Sequence, residues 1–155
     1  MRSLRRIAGV LAPFVLMAIT ATLLAGCSAA ATSPAAGLTV SGAWARATAD
    51  PARGSAAYLT IANPTAQADT LTSVASPIAS VEMHQTMTDA SGMTGMSPVQ
   101  SIAVPAGGTV TLEPGGYHLM LMNLTKPLAA GDTIELDLVF QHAGKVTVQA
   151  EVKSS

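Results

Sequence analysis

From residue 38 onward the chain alternates short β-rich runs with strong breakers. The runs are Leu38–Trp44, Ala56–Ala62, Asp69–Ser73, Ser80–His84, Val99–Val104, Thr109–Leu112, Tyr117–Asn123, Thr133–Gln141 and Lys145–Val152. Between them lie Asn63-Pro64, Ser76-Pro77, Pro105-Ala106-Gly107-Gly108, Pro114-Gly115-Gly116, Ala130-Gly131-Asp132 and Ala143-Gly144, residue types that terminate strands. The period of two is clearest at Thr133-Ile134-Glu135-Leu136-Asp137-Leu138, which puts Ile134, Leu136 and Leu138 on one face. About nine strands without a long helical period predict an all-β fold, an antiparallel sandwich or barrel of one domain. The run from Gln85 to Ser97 carries Thr, Asp, Ser and Gly and reads as a loop. There is no internal repeat, and the Gly-Gly pairs are explained by turns rather than by phosphate binding.

The N-terminus obeys a different pattern. Arg2, Arg5 and Arg6 precede an uncharged apolar run from Ile7 to Gly26, which reads as an export signal over residues 1–26. The run is long enough to span a membrane, so an uncleaved helical anchor is its rival. Leu24-Ala25-Gly26-Cys27 has the form of a bacterial lipoprotein processing site, which favours cleavage and lipidation of Cys27. Residues 27–37, made of small and turn-forming types after Cys27, form a flexible tether, and residues 38–153 form the domain. The protein is therefore expected outside the cytoplasm, periplasmic or at the cell surface, and held to a membrane.

Charge and cysteine usage narrow the chemistry. Beyond Cys27 the basic residues are Arg46, Arg53, Lys126, Lys145 and Lys153 against nine acidic ones, a net charge of −4 with His neutral. Sparse, acidic and unclustered charge argues against a nucleic-acid partner. Cys27 is the only cysteine, so a lipidated chain has neither thiolate nor disulfide. Paired carboxylates, a Ser-His-Asp set and a phosphate loop are not evident, so no enzyme is expected.

What remains is a set of soft donors. In Val81-Glu82-Met83-His84, alternation puts Glu82 and His84 on the face away from Val81 and Met83. In Tyr117-His118-Leu119-Met120-Leu121-Met122 it groups His118, Met120 and Met122 opposite Leu119 and Leu121. Two residues apart along a strand is about 7 Å, so His118 and Met120 can converge on one ion. Methionine in the polar stretch of Met87, Met93 and Met96 asks for a reason beyond packing, and ligation supplies one. Thioether and neutral imidazole select Cu(I) over harder cations. Met83 is expected in the core by its parity, and His142 reads as a solvated histidine at a turn. Trp44 and Tyr58 are expected as core aromatics. Met122 lines the site or plugs its floor, and Met87 and Met93 are auxiliary donors or ordinary surface residues.

His84, eleven intervening residues, Met96, twenty-one more, then His118-Leu119-Met120 resembles the His-(Met)-x10-Met-x21-His-x-Met signature of the periplasmic copper chaperones called PCuAC. Gln85 stands where that signature has an optional Met. The similarity extends through Ala43-Trp44-Ala45-Arg46, Ala57 to Asn63, Asp69-Thr70-Leu71, Glu82-Met83-His84 and Pro114 to Met122. The resemblance implies a cupredoxin-like Greek-key β-sandwich or barrel, with Cu(I) held by His84, Met96, His118 and Met120. It also implies delivery of copper to the CuA centre of a respiratory haem-copper oxidase, or to a thiol chaperone serving it. Copper storage or resistance, and a structural lipoprotein without metal, are the alternatives. A blue-copper electron carrier would need a Cys thiolate, which the domain lacks. A monomer is expected.

Overall fold

A computed structural model describes residues 37–154. The signal segment 1–26, Cys27 and the tether up to residue 36 lie outside the described residues. Ten strands follow in order: β1 (Thr39–Arg46), β2 (Ser55–Ala62), β3 (Asp69–Ala75), β4 (Ser80–Thr88), β5 (Thr94–Pro98), β6 (Ile102–Val104), β7 (Thr109–Leu112), β8 (Tyr117–Met122), β9 (Thr133–Phe140) and β10 (Gly144–Lys153). A single 3-10 turn, Pro51–Arg53, stands between β1 and β2, and among the described residues there is no α-helix.

The strands form one sheet in the order β5-β4-β8-β7-β2-β1-β10-β9-β3-β6, with β2 also pairing β8. Pairings are antiparallel except β1 with β10 and the single contact of β7 with β8. The sheet curls into a half-barrel, because strands from both halves of that order turn their apolar faces to one cluster. Leu59 and Ile61 of β2, Leu119 and Leu121 of β8, Leu136 and Leu138 of β9 and Met83 of β4 all belong to it. Burying each such aliphatic side chain stabilises the fold by about 1.5–3 kcal/mol. On β9 the period of two runs true, with Ile134, Leu136, Leu138 and Phe140 buried.

Two expectations need correction. Gln85 to Ser97 is not a loop: β4 continues to Thr88 and turns through Asp89 to Met93 into β5. Every residue of β5 is exposed and the strand holds Gly95 and Pro98, so it lacks the alternation that marks a half-buried strand. Conversely, the run from Val99 to Val104 is a strand only at Ile102–Val104.

Asp69, at the start of β3, ties the β9–β10 turn to the body. Its carboxylate accepts from the backbone N–H groups of Thr70 at 2.7 Å, His142 at 2.9 Å and Ala143 at 2.8 Å. Burial works to raise its pKa, but those N–H groups and the neighbouring His142 outweigh it, and the net shift is below the ordinary 3.8. A carboxyl with a lowered folded-state pKa contributes stability above its unfolded value, and that contribution drains away as pH falls through the folded one. Asp69→Ala should therefore lower Tm at pH 7 and flatten the loss of Tm below about pH 4. Thermal melts of both proteins from pH 7 to pH 2 check this. Leu119, fully buried between the outward-facing His118 and Met120, gives a second expectation. Leu119→Ala should cost about 2–5 kcal/mol in chemical denaturation.

Candidate metal centre

Strand β8 reads His118, Leu119, Met120, Leu121 and Met122 from its second residue on, and the two leucines are fully buried in the core. That commits His118, Met120 and Met122 to the opposite face. Antiparallel pairing sets Met122 against Ser80, Met120 against Glu82 and His118 against His84 on β4. Directly opposed residues share a face, so Glu82 and His84 stand beside Met120 and His118. On the other side of β4, Thr86 is paired with Met96 of β5. Thr86 lies two residues beyond His84, so Met96 shares that face as well. The register thus brings His84, Met96, His118 and Met120 to one side of three adjacent strands, β5, β4 and β8.

The two imidazoles face each other with ring centroids 5.8 Å apart and planes at 53°. An ion about 2 Å from a ring nitrogen lies about 3 Å from that ring's centre, so these rings are spaced to share one. His118 is only 4% exposed. Its Nδ1 lies 3.2 Å from the Gly116 carbonyl oxygen, which can only accept, so Nδ1 carries the hydrogen and Nε2 the lone pair. His118 Nε2 is buried and has no hydrogen-bond partner. Leaving such a group unsatisfied costs about 1–3 kcal/mol, which a coordinated metal would recover. Across the strand, His84 Nε2 lies 3.1 Å from Glu82 Oε2.

His118, Met120 and Met96 line one cleft of about 360 Å³, with Tyr58, Thr86 and Arg46 also on its walls. The backbone closes one side of it. Gly54, after the 3-10 turn, has φ of +69°, and a Cβ there would lie 2.5 Å from the Leu121 carbonyl oxygen and 3.8 Å from Met120 Cε. Only glycine allows that close approach. Asp50 caps the turn, its Oδ1 accepting from the Ala52 N–H at 3.0 Å.

Of the two expected core aromatics, Tyr58 is buried at 6% exposure and Trp44 is half-buried. They are paired across β1 and β2, one step from the Ala45 and Ala57 pair that is fully buried in the core. They therefore project from the other face, stacked with centroids 4.6 Å apart, and Tyr58 borders the cleft. Tyr58 is thus buried on the cleft side of the sheet, outside the main apolar cluster.

The other singled-out residues fall as follows. Met83 is 7% exposed in the core, as its parity implies. Met122 is half-buried on the site face, one rung beyond Met120. Met87 pairs with Gly95 and faces away from the site, and Met93 lies in the β4–β5 turn. His142 is exposed in the β9–β10 turn. Among the described residues no three His, Cys, Asp or Glu side chains converge as a metal group, and the side chains available beside the two imidazoles on that face include the thioethers of Met96 and Met120. Such a set fits a soft monovalent cation better than zinc or calcium.

Comparison with known proteins identifies the family and the fold. The family described as "Putative lipoprotein LpqE-like" matches residues 38–152. The copper-bound PCuAC domain from PmoF2 has 26% sequence identity and a TM-score of 0.66, over 81% of this chain and 99% of that chain. Solution structures of DR1885 from Deinococcus radiodurans have 34% identity. The apo form covers 96% of this chain and 97% of that chain at a TM-score of 0.61, and the CuI form covers 83% and 84% at 0.60. A curated relative, "Putative lipoprotein Lxx21020" of Leifsonia xyli subsp. xyli (strain CTCB07), is 37% identical over 78 residues. That match covers 50% of this chain and spans 47% of the relative, about half its length. With its curled all-β sheet carrying the cupredoxin-like architecture of the PCuAC domains, this chain belongs to the LpqE-like lipoprotein family, a family of the PCuAC type.

Proposed function

We propose that the protein is an extracytoplasmic, non-enzymatic Cu(I) carrier whose ligands are His84, Met96, His118 and Met120. The observation that carries this reading is the buried, unpartnered His118 Nε2, facing a second imidazole and flanked by thioethers on the same face. The copper named in the descriptions of the PmoF2 domain and of DR1885 supports it.

The ligand types suit the compartment. A thioether has no proton to lose and forms no disulfide, so it remains a ligand in an oxidising or acidic space where a thiol would not. Anchoring through a lipidated Cys27, with the segment up to residue 37 as tether to the 38–153 domain, would keep the carrier at a membrane, in keeping with the lipoprotein family. Among the described residues no helix is long and apolar enough to cross one. The recipient is a protein with stronger Cu(I) donors, either a thiol chaperone or the CuA centre of a haem-copper oxidase. Thiolates outbid thioethers for Cu(I), so transfer in that direction is downhill. Met96 is 63% exposed on an edge strand, which favours a carrier over a store, because an incoming ligand can displace it first.

Anaerobic titration of Cu(I) against a chromophoric chelator tests the proposal. The parent chain should bind one equivalent, and His118→Ala and Met120→Ala should each weaken binding at least tenfold, about 1.4 kcal/mol or more. Unchanged affinity in both variants would remove the proposal. Oxidation gives an independent check, since a sulfoxide is a harder and poorer donor. Mild peroxide treatment of the copper-free protein should oxidise Met96 well before the buried Met83. Peptide mass spectrometry would follow the order, and Cu(I) affinity should fall as Met96 reacts.

A further inference from the structure

The two imidazoles of the site are held by different acceptors at different ring atoms. For His118 the acceptor is the Gly116 carbonyl on Nδ1, 3.2 Å away, and Nε2 is left with the lone pair. For His84 it is Oε2 of Glu82 on Nε2, 3.1 Å away. A carboxylate at neutral pH only accepts, so His84 Nε2 carries the hydrogen and Nδ1 the lone pair. The ring nitrogen free to take a metal is therefore not the same atom in the two histidines.

We propose that Glu82 is a positioning residue of the copper site: its carboxylate holds the Nε2–H of His84, so that copper is taken by His84 Nδ1 on one side and His118 Nε2 on the other. The inference rests on the Cu(I) reading above and deepens it. Register makes Glu82 a fixed neighbour, because it stands two residues from His84 on the same face of β4 and directly opposite Met120 of β8. The His84 side chain is 17% exposed, while that of Glu82 is 53% exposed. The ring is thus largely enclosed, and the carboxylate reaches it from the solvent side. An enclosed ring that keeps one N–H on a carboxylate can flip only by breaking that bond. Metal-binding histidines are commonly oriented in this way, and loss of the orienting group typically weakens metal binding 10- to 100-fold.

Glu82 acts here as a hydrogen-bond acceptor and makes no bond to copper. Its effect should survive replacement by an amide, whose oxygen still accepts, and should be lost with alanine. The test uses the full chain labelled with 15N at histidine, and long-range 1H–15N correlation spectra that distinguish the ring nitrogens. In the copper-free parent, His84 should show the Nε2–H form and His118 the Nδ1–H form. On adding Cu(I), which is diamagnetic, the nitrogens that shift should be His84 Nδ1 and His118 Nε2. Glu82→Ala should lose the preference for the Nε2–H form of His84 and raise the Cu(I) dissociation constant at least tenfold. Glu82→Gln should keep both within threefold of the parent.

A shift of His84 Nε2 on loading, or a Glu82→Ala protein with parental spectra and affinity, would overturn the inference. So would a Glu82→Gln protein as weak as Glu82→Ala, since charge would then be the operative property. These failures are distinguishable from failure of the Cu(I) reading itself. If the parent binds no Cu(I), that reading falls and takes this one with it, whereas parental binding with the wrong nitrogen or an indifferent Glu82 overturns the positioning role alone.

Discussion

The site depends on one constraint, the register of β4 against β8. Side chains alternate along both strands, so a slip of one residue would turn His84 into the core and Met83 out of it. What forbids the slip is not the histidines. It is the burial of Met83 of β4 with Leu119 and Leu121 of β8 in the common cluster, apolar area worth roughly 25 cal/mol per Å² removed from water. The geometry of the proposed metal site is inherited from the core. The pairing of His84 with His118, and of Glu82 with Met120, follows once Met83 is set against Leu119.

The same arrangement explains how the protein tolerates an unsatisfied buried nitrogen. His118 Nε2 would be an unexplained cost in a surface strand, yet here it belongs to a residue that lines the cleft. Tyr58, packed against Trp44, and the turn at Gly54 against Leu121 border that side of the site. A ten-strand sheet with a shared core can carry a local penalty of this size, and any ligand that satisfies the nitrogen stabilises the folded state by mass action.

Much of this was legible in the chain, and the parts that were not have physical reasons. The alternation of β4, β8 and β9 placed Glu82, His84, His118 and Met120 on the correct faces, because each strand has one face in the core. Strand β5 was not legible: none of its five residues is buried, so no period of two is imposed, and Gly95 and Pro98 imitate a loop. Met96 was therefore singled out in the sequence by its polar surroundings and its spacing rather than by alternation, and in the structure it is placed by its pairing with Thr86. Tyr58 is buried as its ring size implies, and its place on the cleft side follows from its pairing with the half-buried Trp44. The contact of Glu82 with His84 was half visible, since alternation set them on one face, but whether the carboxylate reached the ring depended on rotamers that a sequence does not state.

The four proposed ligands also differ in how tightly the fold holds them, and that order bears on exchange. His118 is nearly inaccessible on β8, an interior strand of the sheet, and Met120 beside it is half-buried. The His84 side chain is 17% exposed and held by Glu82. Met96 is 63% exposed on the edge strand, with one neighbour instead of two. A cation bound among them would have its most rigid contacts inside and its loosest at the rim. Local opening costs least at an exposed edge hairpin and most in a strand paired on both sides. In the carrier proposed above, release would then begin at Met96 and end at His118, with a partner's donor entering where β5 gives way, so one cation could pass between proteins without ever losing all of its ligands.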